Sequence, residues 1–270
     1  MNKGLAVVTG AAGGVGRDYA EGLAKRGYDL LLVGREQNEI TQIARRIADE
    51  TGRQVGVAVH DLSDPKNLAE LEARLERDES VTLLANIAGA ATFGPFSGIT
   101  TAHIDQTIAV NVTALTRLNR AVAPGFAKRG KGIIVNFASV LAFHPWPEFN
   151  VYDAAKAFVV SLSQALQGEL RGKGVLVQVV SPPATATRFW ETAGLPYDRL
   201  PPGAVMKPED LVRAALIGLD RGEEWVMPSL ADAKLWDGFQ KARGDLVNGM
   251  MSGQLAERYS ALERASAANA

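Results

Sequence analysis

Short runs of aliphatic and β-branched residues alternate with longer stretches of helical periodicity along most of the chain. The apolar runs predict strands at residues 5–9, 29–33, 54–59, 81–86, 132–138, 174–180 and 224–227. Between them, amphipathic patterns predict helices at 14–26, 37–50, 65–78, 101–129, 152–171 and 208–221. Leu30-Leu31-Leu32-Val33 and Val175-Leu176-Val177-Gln178-Val179-Val180 are apolar almost throughout, as strands covered on both faces are. The alternation implies an α/β fold: one doubly wound parallel sheet with right-handed crossovers and helices on both faces. Ligands of such sheets lie beyond the C-terminal strand ends, so chemistry is expected in the loops after the strands.

Two stretches break the pattern. Residues 187–207, with Pro196, Pro201, Pro202 and Gly203, show no clear period and read as an insertion over the strand ends. After 228, Leu235, Trp236, Phe239, Ala242 and Leu246 form an apolar helical stripe, followed by a polar, alanine-rich tail. The chain therefore divides into residues 1–228 and a helical C-terminal extension, 229–270. That extension could pack on the core, cap the cleft or form a subunit interface.

Composition removes several function classes. The 270 residues carry 29 basic and 30 acidic side chains, with both signs dispersed. No Lys/Arg concentration of the kind a nucleic-acid or membrane-surface protein needs is present. Cysteine is absent, which excludes disulfides and thiolate metal sites. No apolar stretch reaches the length of a membrane span or a signal-peptide core, which predicts a soluble cytoplasmic protein. His60, His103 and His144 are isolated and no His/Asp/Glu cluster has ligand spacing, so no catalytic metal is expected.

The turn after the first strand is Thr9-Gly10-Ala11-Ala12-Gly13-Gly14-Val15-Gly16. Glycines 10, 14 and 16 would let a pyrophosphate approach the backbone N–H groups and the positive end of the following helix. The ending Arg17-Asp18 lacks the Lys-Ser/Thr of an NTP-binding loop, so residues 1–228 read as a dinucleotide-binding domain. The second strand ends Val33-Gly34-Arg35, where an acidic residue would favour NAD and an arginine favours the extra phosphate of NADP. Arg35 therefore predicts NADP, reduced or oxidised, in preference to NAD.

Far downstream, Tyr152 and Lys156 stand four apart on a predicted helix and share a face. Alone, such a pair is a weak signal, arising by chance in about one chain in five of such composition. Ser139 strengthens it, because it follows the fifth strand at the ligand-binding edge of the sheet. Reducing a carbonyl by hydride leaves an alkoxide that must receive a proton, and oxidising an alcohol needs the reverse. A phenol titrates near ~10, so using it as a base near pH 7 takes ~4 kcal/mol of differential stabilisation. A neighbouring ammonium and an oxidised nicotinamide would favour the phenolate. Ser139 would hydrogen-bond and align the substrate oxygen.

On these residues the chain resembles the short-chain dehydrogenase/reductase family, in its compact single-domain branch, over about residues 4–228. The turn from Thr9 to Gly16, including Ala12 and Val15, matches the family's cofactor turn. Asp61-Leu62 matches its adenine contact, and Asn86-Ile87-Ala88-Gly89 matches its Asn-Asn-Ala-Gly segment. Asn111 matches its helix asparagine, and Ser139 and Tyr152 keep its usual spacing of 13 residues. Pro182, Pro183, Thr185 and Thr187 are similar to the segment that contacts the nicotinamide carboxamide. The resemblance implies a Rossmann-like fold and a catalytic tetrad of Asn111, Ser139, Tyr152 and Lys156. In the family Asn111 interrupts a helix and holds a water that continues the proton path from Lys156, which also binds the nicotinamide ribose. It further implies a homodimer or homotetramer through the long helices around 101–129 and 152–171. Two departures stand out: Ile87 replaces an asparagine, at the cost of one hydrogen bond, and Pro183 replaces a glycine, removing a donor.

Three segments should border a substrate: Ala91-Thr92-Phe93, the loop with Leu141, Phe143, His144, Trp146 and Phe149, and Phe189-Trp190 beside Pro183. Their apolar character suggests a hydrophobic carbonyl or secondary alcohol as small-molecule substrate. The expected function is an NADP(H)-dependent oxidoreductase. The alternatives are an NAD-linked alcohol dehydrogenase and a non-catalytic NADP-binding sensor, for which an intact tetrad would have no use.

Overall fold

In the computed structural model, which describes residues 2–195, 197–201 and 203–259, the apolar runs form the centre of an α/β domain. Pro196, Pro202 and the tail from 260 lie outside the described residues. The elements, in order, are β1 Leu5–Thr9, α1 Gly14–Lys25, β2 Asp29–Gly34, α2 Gln37–Thr51, β3 Val55–Val59, α3 Pro65–Arg77 and β4 Val81–Asn86. There follow α4 Thr101–Ile108, α5 Leu115–Arg129, β5 Gly132–Phe137, α6 Asn150–Leu170 and β6 Val175–Val180. Last come β7 Ala184–Thr185, α7 Arg188–Thr192, β8 Val205–Met206, α8 Pro208–Asp220, β9 Trp225–Val226 and α9 Lys234–Met250.

Seven strands make one sheet in the order β3-β2-β1-β4-β5-β6-β9, all parallel. Successive residues of a strand face opposite sides, and each side is covered. Ala6, Val8, Leu30 and Leu32 pack with α1, α2 and α8 residues such as Leu23, Ile40 and Leu216. Val7, Leu31, Val33 and Leu84 pack with α3 and α5 residues such as Leu71, Leu118 and Phe126. This two-sided burial explains the unbroken apolar runs. The chain reverses its direction of travel between β1 and β4, so the loops after these strands diverge and open a cleft.

Three departures from the expectation concern the site. The helix expected over 101–129 is interrupted: a π-helical turn, Ala109–Ala114, separates α4 from α5. The aperiodic stretch 187–207 contains α7 and the strand β8, which pairs with β7 as a second small sheet. The last strand shrinks to Trp225–Val226, paired with Val179 and Val180.

The chain forms two compact units, Met1–Ser229 and Leu230–Ala270. In the second, α9 stacks the rings of Trp236 and Phe239 at 5.6 Å between centroids. Among the described residues no helix is long and apolar enough to cross a membrane, and no three potential ligands cluster as a metal site.

Candidate active site

The cleft between the β1 and β4 loops is shaped by glycine. Gly10 has φ +68°, and a Cβ there would lie 2.8 Å from the Ala88 backbone. A Cβ on Gly16 would lie 2.2 Å from the Gly10 carbonyl oxygen. Both glycines are therefore required by the fold of the turn itself, before any ligand is considered. Gly14 differs: a Cβ there would meet only Thr187, at 3.7 Å, so it keeps the cleft open. The first turn of α1 carries no acidic residue, and its cap makes no side-chain hydrogen bond, leaving backbone donors for an anion. Val15 turns its side chain to the core, and Ala12 faces Gly34 at the end of β2.

Arg35 follows β2, with its guanidinium 3.9 Å from the Asp61 carboxylate. Asp61 accepts hydrogen bonds from the Ser63 backbone and hydroxyl at 2.9 and 2.7 Å. Leu62, expected beside the cofactor, buries its side chain in the core, so any cofactor contact there falls to its backbone. Asn86 is also turned inside. Its amide donates to Asn119 at 2.7 Å and Asn136 at 2.9 Å, and Asn136 donates to Ser163 at 3.0 Å. That ladder ties β4, β5, α5 and α6 together, so any cofactor contact of Asn86 falls to its backbone.

Thr9 was not singled out by its sequence context. Its hydroxyl accepts the N–H groups of Ile87 and Ala88 at 3.0 and 3.1 Å, fixing one cleft wall to the other. This holds the segment despite the Ile87 departure, whose side chain packs in the core. The clue was a hydroxyl residue ending an otherwise apolar strand.

The tetrad converges. Tyr152 and Lys156 lie on the first turns of α6, and Ser139 follows β5. The Ser139 hydroxyl accepts from Leu141 N at 3.1 Å and lies close enough to the Tyr152 phenol to pull its titration down. Lys156, only 4% exposed, donates to the Phe137 carbonyl at 2.8 Å and lies 5.5 Å from the Tyr152 ring centroid. Asn111 occupies the π-turn, where a widened turn admits its amide to Thr107 O at 2.9 Å and Ala90 O at 2.6 Å. Its Oδ1 is buried and has no partner among the described residues. A Cβ on Gly89 would stand 3.2 Å from that oxygen and 3.9 Å from Lys156 Nζ, so Gly89 keeps open the space they share. This is the space in which the family resemblance would put a water between the two groups.

Burial dominates the electrostatics of Tyr152 and Lys156. Burial pushes the Tyr152 phenol well above its ordinary value; Ser139 pulls it down and Asp153 pushes it further up. Burial lowers Lys156 to about 8. Desolvation favours the neutral form of both groups, and Tyr152 rests as a neutral phenol.

Around Tyr152 the three apolar segments do meet. Phe149 and Trp190 are buried, with Ala91, Phe93, Leu141 and Phe189 packed against them. Phe149 lies 6.0 Å from the Tyr152 ring, 5.6 Å from Trp190 and 5.2 Å from Phe93, and Phe189 lies 5.6 Å from Tyr152. Backbone bonds stitch the loops together, Phe93 N to Ala193 O at 2.7 Å and Gly94 N to Glu148 O at 2.9 Å. Trp190 Nε1 donates to Thr185 O at 2.9 Å, and Val140 N to Pro182 O at 3.1 Å. Thr187 precedes α7 beside Gly14, and Pro183 lies partly buried next to the cluster's Ala184. Phe143 instead packs with Leu115 and Val159 on another cluster, and His144, like Trp146, is exposed. Ala193, Leu195 and Leu200 join the cluster from the aperiodic stretch, where no repeat marked them.

A family model described as short chain dehydrogenase matches residues 4–196. The very-long-chain 3-oxoacyl-CoA reductase of Anas platyrhynchos is 33% identical over 83% of this chain and 72% of its own. The 17-beta-hydroxysteroid dehydrogenase type 3 of Homo sapiens is 33% identical over 67% of this chain and 59% of its own. Among solved structures, a short-chain dehydrogenase from Sphingobium yanoikuyae in complex with NADPH has 42% identity and TM-score 0.91, covering 95% of this chain and 100% of that one. The bulky-bulky ketone specific alcohol dehydrogenase of Comamonas testosteroni has 41% identity and TM-score 0.88, covering 96% and 99%. On this family-model match and these relatives, the chain belongs to the short-chain dehydrogenase/reductase family, as a nicotinamide-dependent oxidoreductase acting on carbonyl and alcohol groups.

Proposed function

We propose that this enzyme reduces bulky hydrophobic ketones at the expense of NADPH. The observation that carries this reading is the aromatic cluster of Phe93, Phe149, Phe189 and Trp190 packed around Tyr152, which makes the surroundings of the one proton donor apolar. The relatives agree with it in kind, since their names denote long acyl, steroid and bulky ketone substrates. Arg35 at the end of β2 supports NADPH, as does the NADPH bound to the Sphingobium neighbour.

The cleft glycines, the start of α1, Arg35, Thr187 and Lys156 would hold the dinucleotide, which supplies the hydride to the carbonyl carbon. The chain's own residues do the rest. Ser139 hydrogen-bonds the ketone oxygen and sets its orientation. Tyr152, held neutral, gives its phenolic proton to that oxygen as the alcohol forms. Lys156 stabilises the phenolate left behind, and a proton returns by way of Lys156 and Asn111. A phenol pushed upward rests in its protonated form, which is the form that reduction requires.

The test is fluorescence titration of the purified protein with NADPH and NADH, followed by turnover of a ketone panel. We expect about tenfold or greater preference for NADPH, largely lost in Arg35→Ala. Two-ring ketones should show higher kcat/KM than acetone. Preference for NADH would instead favour an NAD-linked alcohol dehydrogenase.

A further inference from the structure

Asp153 follows the catalytic tyrosine and is only 1% exposed. It has no ion-pair partner among the described residues, and its Oδ1 makes no hydrogen bond among them. Its other oxygen, Oδ2, accepts the backbone N–H of Trp146. A buried carboxylate with one neutral partner costs folding free energy. Burial accordingly pushes it up to about 6. The fold recovers nothing visible from this arrangement. An asparagine would take the same hydrogen bond at lower cost, and a small apolar residue would avoid the penalty altogether.

What the carboxylate holds is informative. Trp146 stacks on Phe149 with centroids 6.2 Å apart and planes at 21°. Phe149 in turn contacts Tyr152, Trp190 and Phe93. The segment from Val140 to Phe149 has only short 3₁₀ turns, so tertiary anchors must fix its course. Two side chains of α6, the helix that carries Tyr152, reach it: Asn150 donates to Pro147 O at 2.9 Å, and Asp153 accepts from Trp146 N.

We propose that Asp153 is a positioning residue for substrate: through the Trp146 backbone it sets the Trp146–Phe149 wall relative to Tyr152 and so selects ketones with large substituents. It touches neither the reacting atoms nor the cofactor. The inference rests on the ketone-reductase reading for its substrate, while its hold on the loop is independent of that reading.

Two readouts test it on the full chain of wild type, Asp153→Ala and Asp153→Asn. The first is hydrogen exchange of the backbone over residues 143–150, with residues 175–180 of β6 as internal reference. The second is kcat and KM for benzophenone and for acetone with saturating NADPH. We expect Asp153→Ala to speed loop exchange about tenfold without changing β6, and to raise the KM for benzophenone at least tenfold more than that for acetone. Asp153→Asn, which can still accept from Trp146, should restore both. Unchanged loop exchange in Asp153→Ala overturns the proposal. So does an equal loss for both ketones, or a loss that asparagine does not rescue, since these would assign the effect to the charge. If wild type reduces no ketone, the proposed function fails, and the exchange result still decides whether Asp153 holds the loop.

Discussion

Tyr152 is a neutral phenol surrounded by rings, and its chemistry depends on one hydroxyl. Tyr152→Phe removes that proton and leaves the aromatic packing, so kcat for ketone reduction should drop about 10²–10⁴-fold. NADPH affinity, read by fluorescence titration, should stay within about twofold. Loss of both together would mean the phenol is structural. Lys156 predicts the alkaline limb. Burial lowers it to about 8, and its ammonium form is the one that stabilises the phenolate. Reductive kcat/KM should therefore fall as pH rises through about 8. A profile flat to pH 10 would show that its charge is not needed.

At the scale of an element, the π-turn does what a regular helix could not. It carries Asn111 into the space that Gly89 leaves beside Lys156. Gly89→Ala puts a methyl 3.2 Å from Asn111 Oδ1 and 3.9 Å from Lys156 Nζ, in the room assigned to the bridging water. We expect turnover to fall about tenfold or more with little change in melting temperature. Gly132 offers the contrasting case. A Cβ there would lie 2.2 Å from the Phe126 ring, at the start of β5 and far from the cleft. Gly132→Ala should destabilise by about 1–3 kcal/mol through overpacking, measured by urea unfolding, while NADPH affinity of the folded fraction is kept.

For the whole molecule, the site is a stability cost with a defined pH dependence. Asp153 sits at about 6 when folded against 3.8 for its ordinary value. Its penalty is complete above about pH 6 and disappears as pH falls toward 4. Lys156 sits at about 8 against 10.5, so its penalty is complete below about pH 8 and fades as pH rises toward 10.5. Both penalties act together between about pH 6 and 8. Asp153→Asn should raise Tm by several degrees at pH 7, with the gain shrinking toward pH 4. Lys156→Met should also gain at pH 7, with the gain shrinking above pH 10. Gains that ignore pH, seen by thermal melts across this range, would remove ionisation as the cause.

How much could be read in advance follows from the range of the forces involved. Strand positions, the glycine turn and the Tyr152–Lys156 face depend on local periodicity and backbone sterics, which neighbours along the chain express. Residues 5–9 and 81–86 were therefore placed to the residue. The inward turn of Leu62 and Asn86, the departure of Phe143 and the role of Thr9 all depend on which distant loop packs beside them. No local pattern carries that information. The aromatic wall belongs to the same class, since 187–207 has no period of its own and gains order only across the strand ends. By itself, then, the sequence determined the fold class, the glycine turn and the shared face of Tyr152 and Lys156, because these rest on short-range geometry and on residue chemistry. Only the tertiary structure decided the burial of Tyr152 and Lys156, the bonds that hold the Asn111 amide in its π-turn and the tie between Asp153 and Trp146, because desolvation and packing are set by segments far apart in the chain.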